Sequence, residues 1–269
     1  PVVDTCGTGG GALVTFNIST AAALLAAAAG VRIAKHGNRS FSSRCGSADV
    51  LEALGVEIDL TPEQLARILD RAGIVFMFAP RHHPAMRHVA PVRRELGIPT
   101  IMNVLGPLTN PAGSRRQVVG VADPANLPLL AEALLQLGHE RALVVHGQPG
   151  MDEFSPLGPT DVLEIRDGAL RRFRLDPAAD LGWSGFDAAE LAGGDPACNA
   201  RIVEGVLAGR IGGAARAAVL LNAGAAIYVG GLAESIREGI DRAAAAIEEG
   251  VGLSALERLR QESRAAARS

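Results

Sequence analysis

The chain has 269 residues, 48% of them hydrophobic and only 3% aromatic, with 32 glycines and a formal net charge of −3. That length suits one large domain or two modest ones, and the lack of long charged or Pro/Ser-rich tracts excludes a largely disordered chain. The charge balance excludes a global basic footprint, so nucleic acid is not an expected partner. Cys6, Cys45 and Cys198 lie far apart without zinc-type spacing, and an odd count suits a reducing compartment. No signal peptide is evident, and the longest apolar stretch, Ala21 to Ala29, is too short to span a bilayer. The expectation is a cytoplasmic enzyme with no membrane partner.

Val2-Val3 reads as the end of a strand and runs almost at once into Gly7-Thr8-Gly9-Gly10-Gly11. The chain opens at Pro1, and a functional loop so near a terminus points to a preceding N-terminal segment. Ser19 to Ala29 reads as a helix ended by Gly30, Val31 to Ala34 as a strand, and Ala48 to Leu54 as a helix. Thr61-Pro62-Glu63-Gln64 is a capping box with proline at the first helical position, opening a helix to about Ala72. Ile74 to Phe78 follows as a buried strand, then an amphipathic helix from Pro84 to Leu96. Val118 to Val121 is a strand, Leu127 to Leu137 a helix and Ala142 to Val145 a strand. A hairpin turns at Asp167-Gly168, and Ala-rich helices run from Asn199 to the C-terminus. Alternating strands and helices predict an α/β fold, a mainly parallel sheet flanked by helices, on which the helical last third packs.

The glycine run can turn backbone N–H groups toward an anion because no Cβ stands in the way. The helix that starts near Ser19 adds an N-terminus favourable to phosphate; by itself, such a run serves equally as a tight turn. Asn17-Ile18-Ser19-Thr20 could reach a ligand or simply cap that helix. Lys35-His36-Gly37-Asn38-Arg39-Ser40-Phe41-Ser42-Ser43-Arg44 combines cations and short hydroxyls directly after a strand. That position is the carboxyl edge of an α/β sheet, where ligands bind, and the residue types suit charge-assisted bonds to phosphate oxygens. The adjacent carboxylates of Asp152-Glu153 would repel a phosphorylated substrate unless a hard cation such as Mg²⁺ lay between; otherwise they form a solvated acidic turn. Arg93-Arg94 could clamp a carboxylate or sit exposed on the helix. His82, His83 and His88 read as helix-start and packing residues.

Taken together, the segments resemble the anthranilate phosphoribosyltransferases from the first residue almost to the last. The matching stretches are Gly7-Thr8-Gly9-Gly10, Thr15 to Thr20 (TFNIST), Lys35 to Ser40 (KHGNRS), Gly46 to Gly55 (GSADVLEALG) and Phe78-Ala79-Pro80. They continue with His83 to Met86 (HPAM), His88 to Gly97 (HVAPVRRELG), Asn103 to Pro111 (NVLGPLTNP), and Val144 to Gly147 followed by Asp152-Glu153. The resemblance implies transfer of the 5-phosphoribosyl group of phosphoribosyl pyrophosphate (PRPP) to anthranilate, in tryptophan biosynthesis. It implies that Gly7, Gly10, Gly11, Thr15, Asn17, Ile18, Ser19 and Thr20 hold PRPP, with Lys35, His36, Gly37, Asn38, Arg39, Ser40, Phe41, Ser42, Ser43 and Ser47 wrapping the same substrate. Gly7, Asn38 and Arg93 would meet anthranilate, Arg93 at its carboxylate, and Ser19, Asp152 and Glu153 would ligate Mg²⁺. The family fold is nucleoside phosphorylase/phosphoribosyltransferase-like, an α/β domain joined to a small helical one, and members are usually homodimers. On that pattern residues 1–80 and 113–269 are two parts of the α/β domain, and 81–112 are a remnant of the helical domain whose other helices lie N-terminal to this chain.

The sequence departs from the family at Gly11, where the usual residue is aspartate, which predicts an altered Mg²⁺ dependence. An aromatic amine is already a nucleophile, so no Ser-His or Cys-His arrangement is required. His36 is the candidate general base. The other readings are a phosphoribosyltransferase for another aromatic amine, a pyrimidine nucleoside phosphorylase, and a non-catalytic nucleic-acid-binding paralogue. The phosphorylase should lack the Arg93 helix and the Asn103 to Pro111 segment. The paralogue should show a basic groove and an eroded carboxylate pair. The other amine is the reading least well separated, because PRPP residues say little of the acceptor.

Overall fold

The computed structural model describes residues 1–40, 44–83, 95 and 100–268, without the Asn103 side chain. Phe41, Ser42, Ser43 and Arg93, and nearly all of the helix expected from Pro84 to Leu96, lie outside the described residues.

The chain begins with β1 (Val3–Gly7), α1 (Ile18–Ala28), β2 (Ile33–Gly37), α2 (Ser47–Ala53), α3 (Pro62–Ala72) and β3 (Ile74–Phe78). Short helices α4 (Ala79–His82) and α5 (Met102–Leu105) flank the segment outside the described residues. Then come β4 (Arg116–Gly120), α6 (Asn126–Gln136), β5 (Arg141–Gly147), β6 (Thr160–Arg166) and β7 (Ala169–Leu175). The last third carries α7 (Pro177–Leu181), α8 (Pro196–Leu207), α9 (Gly213–Gly230), α10 (Ile236–Glu248) and α11 (Ser254–Ala267).

The described strands form one seven-stranded sheet in the order β3-β2-β1-β4-β5-β6-β7. The first five are parallel, and β6 and β7 add an antiparallel hairpin. Its turn is Asp167-Gly168, both residues at positive φ (53° and 74°), the backbone of a type I′ turn whose twist matches the strands it joins. The strand order reverses direction between β1 and β4, and this is where an open α/β sheet leaves a crevice beyond its carboxyl ends.

Period-two alternation puts successive strand residues on opposite faces. Val118, Leu143 and Val145 join the larger core with α1 and α9, while Val119, Ala142 and Val144 join a second core with Leu127, Leu130 and Leu134 of α6. Helices thus cover both faces, as near-continuous apolar strands require. The capping box at Thr61 forms as read: Gln64 N–H donates to Thr61 Oγ1 at 3.4 Å and Thr61 N–H to Gln64 Oε1 at 2.8 Å.

Two readings change. The strand expected from Val31 to Ala34 begins and ends later, at Ile33 and Gly37, because Val31 N–H is still bonded to Ala26 O of α1; Lys35-His36-Gly37 are therefore strand residues. Among the described residues the helix α9, not Ala21 to Ala29, is the longest apolar element, long and apolar enough to cross a membrane by length and composition. It is mostly buried, packed between α1, α10 and the sheet, which accounts for its composition without a bilayer.

Candidate active site

Because β1, β2, β4 and β5 are parallel, they bring Gly7, Gly37, Gly120 and Gly147 to one edge of the sheet. Beyond β5 the chain folds back in a tight turn, with Met151 N–H bonded to Gly147 O at 2.7 Å and Gly147 N–H to Met151 O at 3.0 Å. The turn delivers Asp152 and Glu153 across the ends of β1, β4 and β5. The crossing is possible only over glycines: a Cβ on Gly120 would overlap the Asp152 carbonyl, and one on Gly147 the Glu153 carbonyl.

The glycine run docks on this turn. Gly9 N–H donates to Asp152 Oδ2 at 2.8 Å, Ala12 N–H to Gly150 O at 2.7 Å, and Thr8 N–H to Gly120 O at 3.0 Å. Gly9 and Gly10 adopt positive φ (69° and 81°), which gives the run its cupped backbone. Thr15 follows, bridged to Ala192. Asn17 is fixed on both sides of its carboxamide, donating to Cys45 O at 3.2 Å and accepting from Asn199 Nδ2 at 2.9 Å. Asn199 itself accepts from Gly194 N–H at 2.7 Å and is buried.

Ser19, in the first turn of α1, lines one cavity with Thr5, Cys6, Asp152, Glu153 and Asn222. Its hydroxyl donates to Thr5 O at 3.2 Å and accepts from Lys35 Nζ at 2.9 Å. The structure thus brings the three residues expected to hold a metal around a single cavity, although they are far apart in sequence. Burial raises the pKa of both carboxyls. At Glu153 the neighbouring Asp152 charge raises it further, and the Lys35 ammonium opposes the rise. Two partly buried carboxyls with one hydroxyl and one ammonium nearby make a site short of positive charge. Among the described residues no set of three or more His, Cys, Asp and Glu side chains could hold a metal alone. The donors fit a hard cation that completes its shell with water and substrate phosphate.

Other expected residues sit differently. Lys35 is buried, its ammonium bonded to Thr5 O and Ser19 Oγ, and burial lowers its pKa against the pull of Asp4, Cys6 and Glu153. It faces inward beside the cavity instead of standing in the loop. Ile18 and Thr20 are also buried, and Thr20 lies in an apolar pocket with Leu24, Leu51 and Phe76. These side chains pack the core because α1 turns them toward the protein, which leaves the backbone of this segment as the part that could meet PRPP. The Arg39 guanidinium is engaged with Asp49 and Glu52 of α2. Asp49 also accepts from Ser40 N–H at 2.9 Å and Gly46 N–H at 2.8 Å, tying the two ends of the loop together. Ser47 Oγ donates to Asn38 O at 3.2 Å.

His36 lies near the end of β2, beside His83. Its ring meets His83 edge-on, with centroids 5.0 Å apart. The buried Nε2 atoms of His36, His82 and His83 have no hydrogen-bond partner among the described residues. Burial, helped by His83, His82 and Lys35 and opposed by Asp4, pushes the His36 pKa down to about 4, so its ring is neutral near pH 7. The segment around Asn110 is pinned beside it: Asn110 Nδ2 donates to Ala34 O at 2.9 Å, and Gln117 Nε2 to Pro107 O at 2.8 Å.

Sequence reading missed Asn199 and Asn222. Asn222 is a polar residue inside an Ala-rich helix, a contrast that could have found it, whereas Asn199 sits among other polar residues near the start of its helix.

The sequence pattern of the glycosyl transferase family a/b domain matches residues 1–253. The anthranilate phosphoribosyltransferase of Rubrobacter xylanophilus is 57% identical over 263 residues, 98% of this chain and 77% of that protein. That of Roseiflexus castenholzii is 53% identical over 259 residues, 96% of this chain and 76% of that protein. Among solved structures, the Thermus thermophilus anthranilate phosphoribosyltransferase superposes with a TM-score of 0.91 at 46% identity, covering 98% of this chain and 78% of that one. The Saccharomyces cerevisiae enzyme in complex with PRPP and Mg superposes with a TM-score of 0.90 at 31% identity, covering 98% and 74%. The parallel sheet, the glycine-crossed turn and these relationships agree, and the chain belongs to the anthranilate phosphoribosyltransferase family.

Proposed function

We propose that the carboxyl edge of the sheet binds PRPP together with Mg²⁺ and passes its phosphoribosyl group to anthranilate. The observation that carries this reading is the convergence of the glycine run, Ser19 and the Asp152-Glu153 pair on one cavity. Relatives with this fold have been solved with PRPP and Mg and with 4-fluoroanthranilate.

In this reading the backbone of Gly7 to Gly11, with Asn17 and Ser19, cradles the pyrophosphate end of PRPP. Asn38, Ser40 and Ser47, with Phe41, Ser42 and Ser43, close over the substrate. Ser19, Asp152 and Glu153 hold Mg²⁺, which when bound offsets the negative charge that grows on the leaving pyrophosphate. The anthranilate nitrogen forms a bond to the ribose anomeric carbon as the bond from that carbon to the pyrophosphate oxygen breaks. Lys35 acts from below, holding the Ser19 hydroxyl through its 2.9 Å bond. His36, whose buried Nε2 has no hydrogen-bond partner among the described residues, is the proposed acceptor of the amine proton. Asn38, Gly7 and Arg93 receive anthranilate. Most of the acceleration then comes from holding two substrates in line and from stabilising charge. Residues 81–112 would serve as the acceptor-side remnant of a helical domain. A homodimer in the cytoplasm, with no nucleic acid or membrane partner, completes the reading.

Loss of anthranilate fluorescence tests it. Consumption that requires both PRPP and Mg²⁺ is expected. A chain that binds PRPP yet consumes no anthranilate, including when extended at its N-terminus to the length of its relatives, would transfer the proposal to another aromatic amine. Arg93→Ala should raise KM for carboxylate-bearing acceptors alone.

A further inference from the structure

We infer that Asn222, on the helix α9, is a positioning residue for the Asp152-Glu153 pair; the inference rests on the Mg²⁺ reading above. Asn222 is 5% exposed and stands between Leu221 and Ala223, both fully buried. A carboxamide there must find partners or weaken the core. It finds them in the residue that follows the pair. Asn222 Oδ1 accepts from Phe154 N–H at 3.0 Å, and Nδ2 donates to Phe154 O at 2.9 Å. The second amide hydrogen goes to Ala218 O at 2.9 Å, one turn back in the same helix, and fixes the side chain's orientation. The amide therefore grips both polar groups of one peptide residue, as a partner strand would, and lines the cavity that Ser19, Asp152 and Glu153 share.

The arrangement is not needed to close the fold locally. The turn from Gly147 to Met151 is closed by its own bonds between Gly147 and Met151, its Gln148 N–H donates to Pro159 O at 3.0 Å, and Gly9 N–H and Ala12 N–H reach Asp152 and Gly150. Those contacts act on Gly150 and on the Asp152 carboxylate, before Glu153. Asn222 is the contact immediately after it, at Phe154, and Ser155 beyond is bonded to Thr160 Oγ1 and Gln148 O. The pair is therefore held from both sides, by the glycine run above the sheet edge and by α9 beneath. Loosening the lower grip should let Glu153 withdraw from the cavity while the glycine run still holds Asp152. Outer-shell partners of this kind orient the groups that hold a metal, and losing one typically costs about tenfold or more in metal affinity or activity.

The test compares Asn222→Ala and Asn222→Leu with wild type, and with Val219→Ala as a cavity control on the same helix. Leu is of similar shape and carries no charge but can make none of the three hydrogen bonds, so it decides the matter if the Ala variant does not fold. Two quantities are read. One is the Mg²⁺ concentration for half-maximal rate at saturating PRPP and anthranilate. The other is Mn²⁺ binding in the presence of PRPP, followed by electron paramagnetic resonance and independent of turnover. Both Asn222 variants should weaken both quantities by about tenfold or more, with kcat at saturating Mg²⁺ changed far less, while Val219→Ala lowers Tm without moving either curve. Superimposable Mn²⁺ curves for wild type and Asn222→Leu would overturn the inference, as would an equal shift in Val219→Ala. Absence of PRPP-dependent Mn²⁺ binding in wild type would instead overturn the Mg²⁺ reading beneath it.

Discussion

Acidification should weaken this protein through His36, by an amount that the structure sets. The ring is 9% exposed, and burial holds its pKa at about 4, below the unfolded value of about 6.5. Between these values the unfolded chain binds more protons than the folded one, so stability rises with pH across the window. The contribution is fully present above the unfolded pKa and is lost as pH falls toward the folded one. A gap of about 2.5 units corresponds to about 3 kcal/mol in all, of which about 2 kcal/mol is lost near pH 5. Replacing His36 with Gln removes the titration while keeping a polar side chain of similar reach. Urea unfolding of wild type and His36→Gln from about pH 7 down to about pH 4.5 isolates the effect, because every other titrating group is common to both. The wild-type midpoint should fall more steeply than that of the variant. Parallel pH profiles would refute the reasoning, since they would mean that His36 binds its proton as readily folded as unfolded.

Gly120→Ala places a methyl group on the Asp152 carbonyl, so the carboxylate pair must shift by roughly 1 Å or more, and kcat/KM should drop about a hundredfold with circular dichroism little changed; near-wild-type kcat/KM would contradict the glycine-crossed turn. In Gly11→Asp the new Cβ would lie 3.0 Å from Gly150 O and 3.4 Å from Asp152 Oδ1. The added carboxylate should shift the Mg²⁺ activation curve to lower concentration, and identical titrations of the two proteins would count against it. Asn199→Ala frees the Asn17 carboxamide on one side and should raise KM for PRPP more than it lowers kcat; steady-state kinetics with varied PRPP decides this. Thr61→Ala removes the cap of α3 and should cost about 1 kcal/mol in urea unfolding with no change in kcat, because capping is local.

Much of the site was legible before any coordinates. Glycines 7 to 11, the polar start of α1, the cation-rich segment after β2 and the carboxylate pair after β5 each carry a residue pattern with a chemical reason. The parallel register then puts all of them at one edge, which the alternation of strands and helices already implied. The capping box at Thr61 and the turn at Asp167-Gly168 were equally readable, because both are determined within a few residues.

What the linear chain could not give was direction and distance. Lys35 sits in a cation-rich stretch yet turns inward to Ser19 and Thr5, because β2 extends to Gly37 and alternation then points its side chain into the protein. Thr20 is polar in a motif full of ligand donors, yet the turn of α1 buries it. Asn222 and Asn199 lie 68 and 182 residues from the groups they hold, and nothing local marks them except, for Asn222, polarity in an apolar helix. The sequence by itself determined which residues carry chemistry, because side-chain type and short-range spacing set that. The tertiary structure decided which of them face the cavity and which hold the others in place, because those depend on strand order and helix rotation, and only the packed core fixes both.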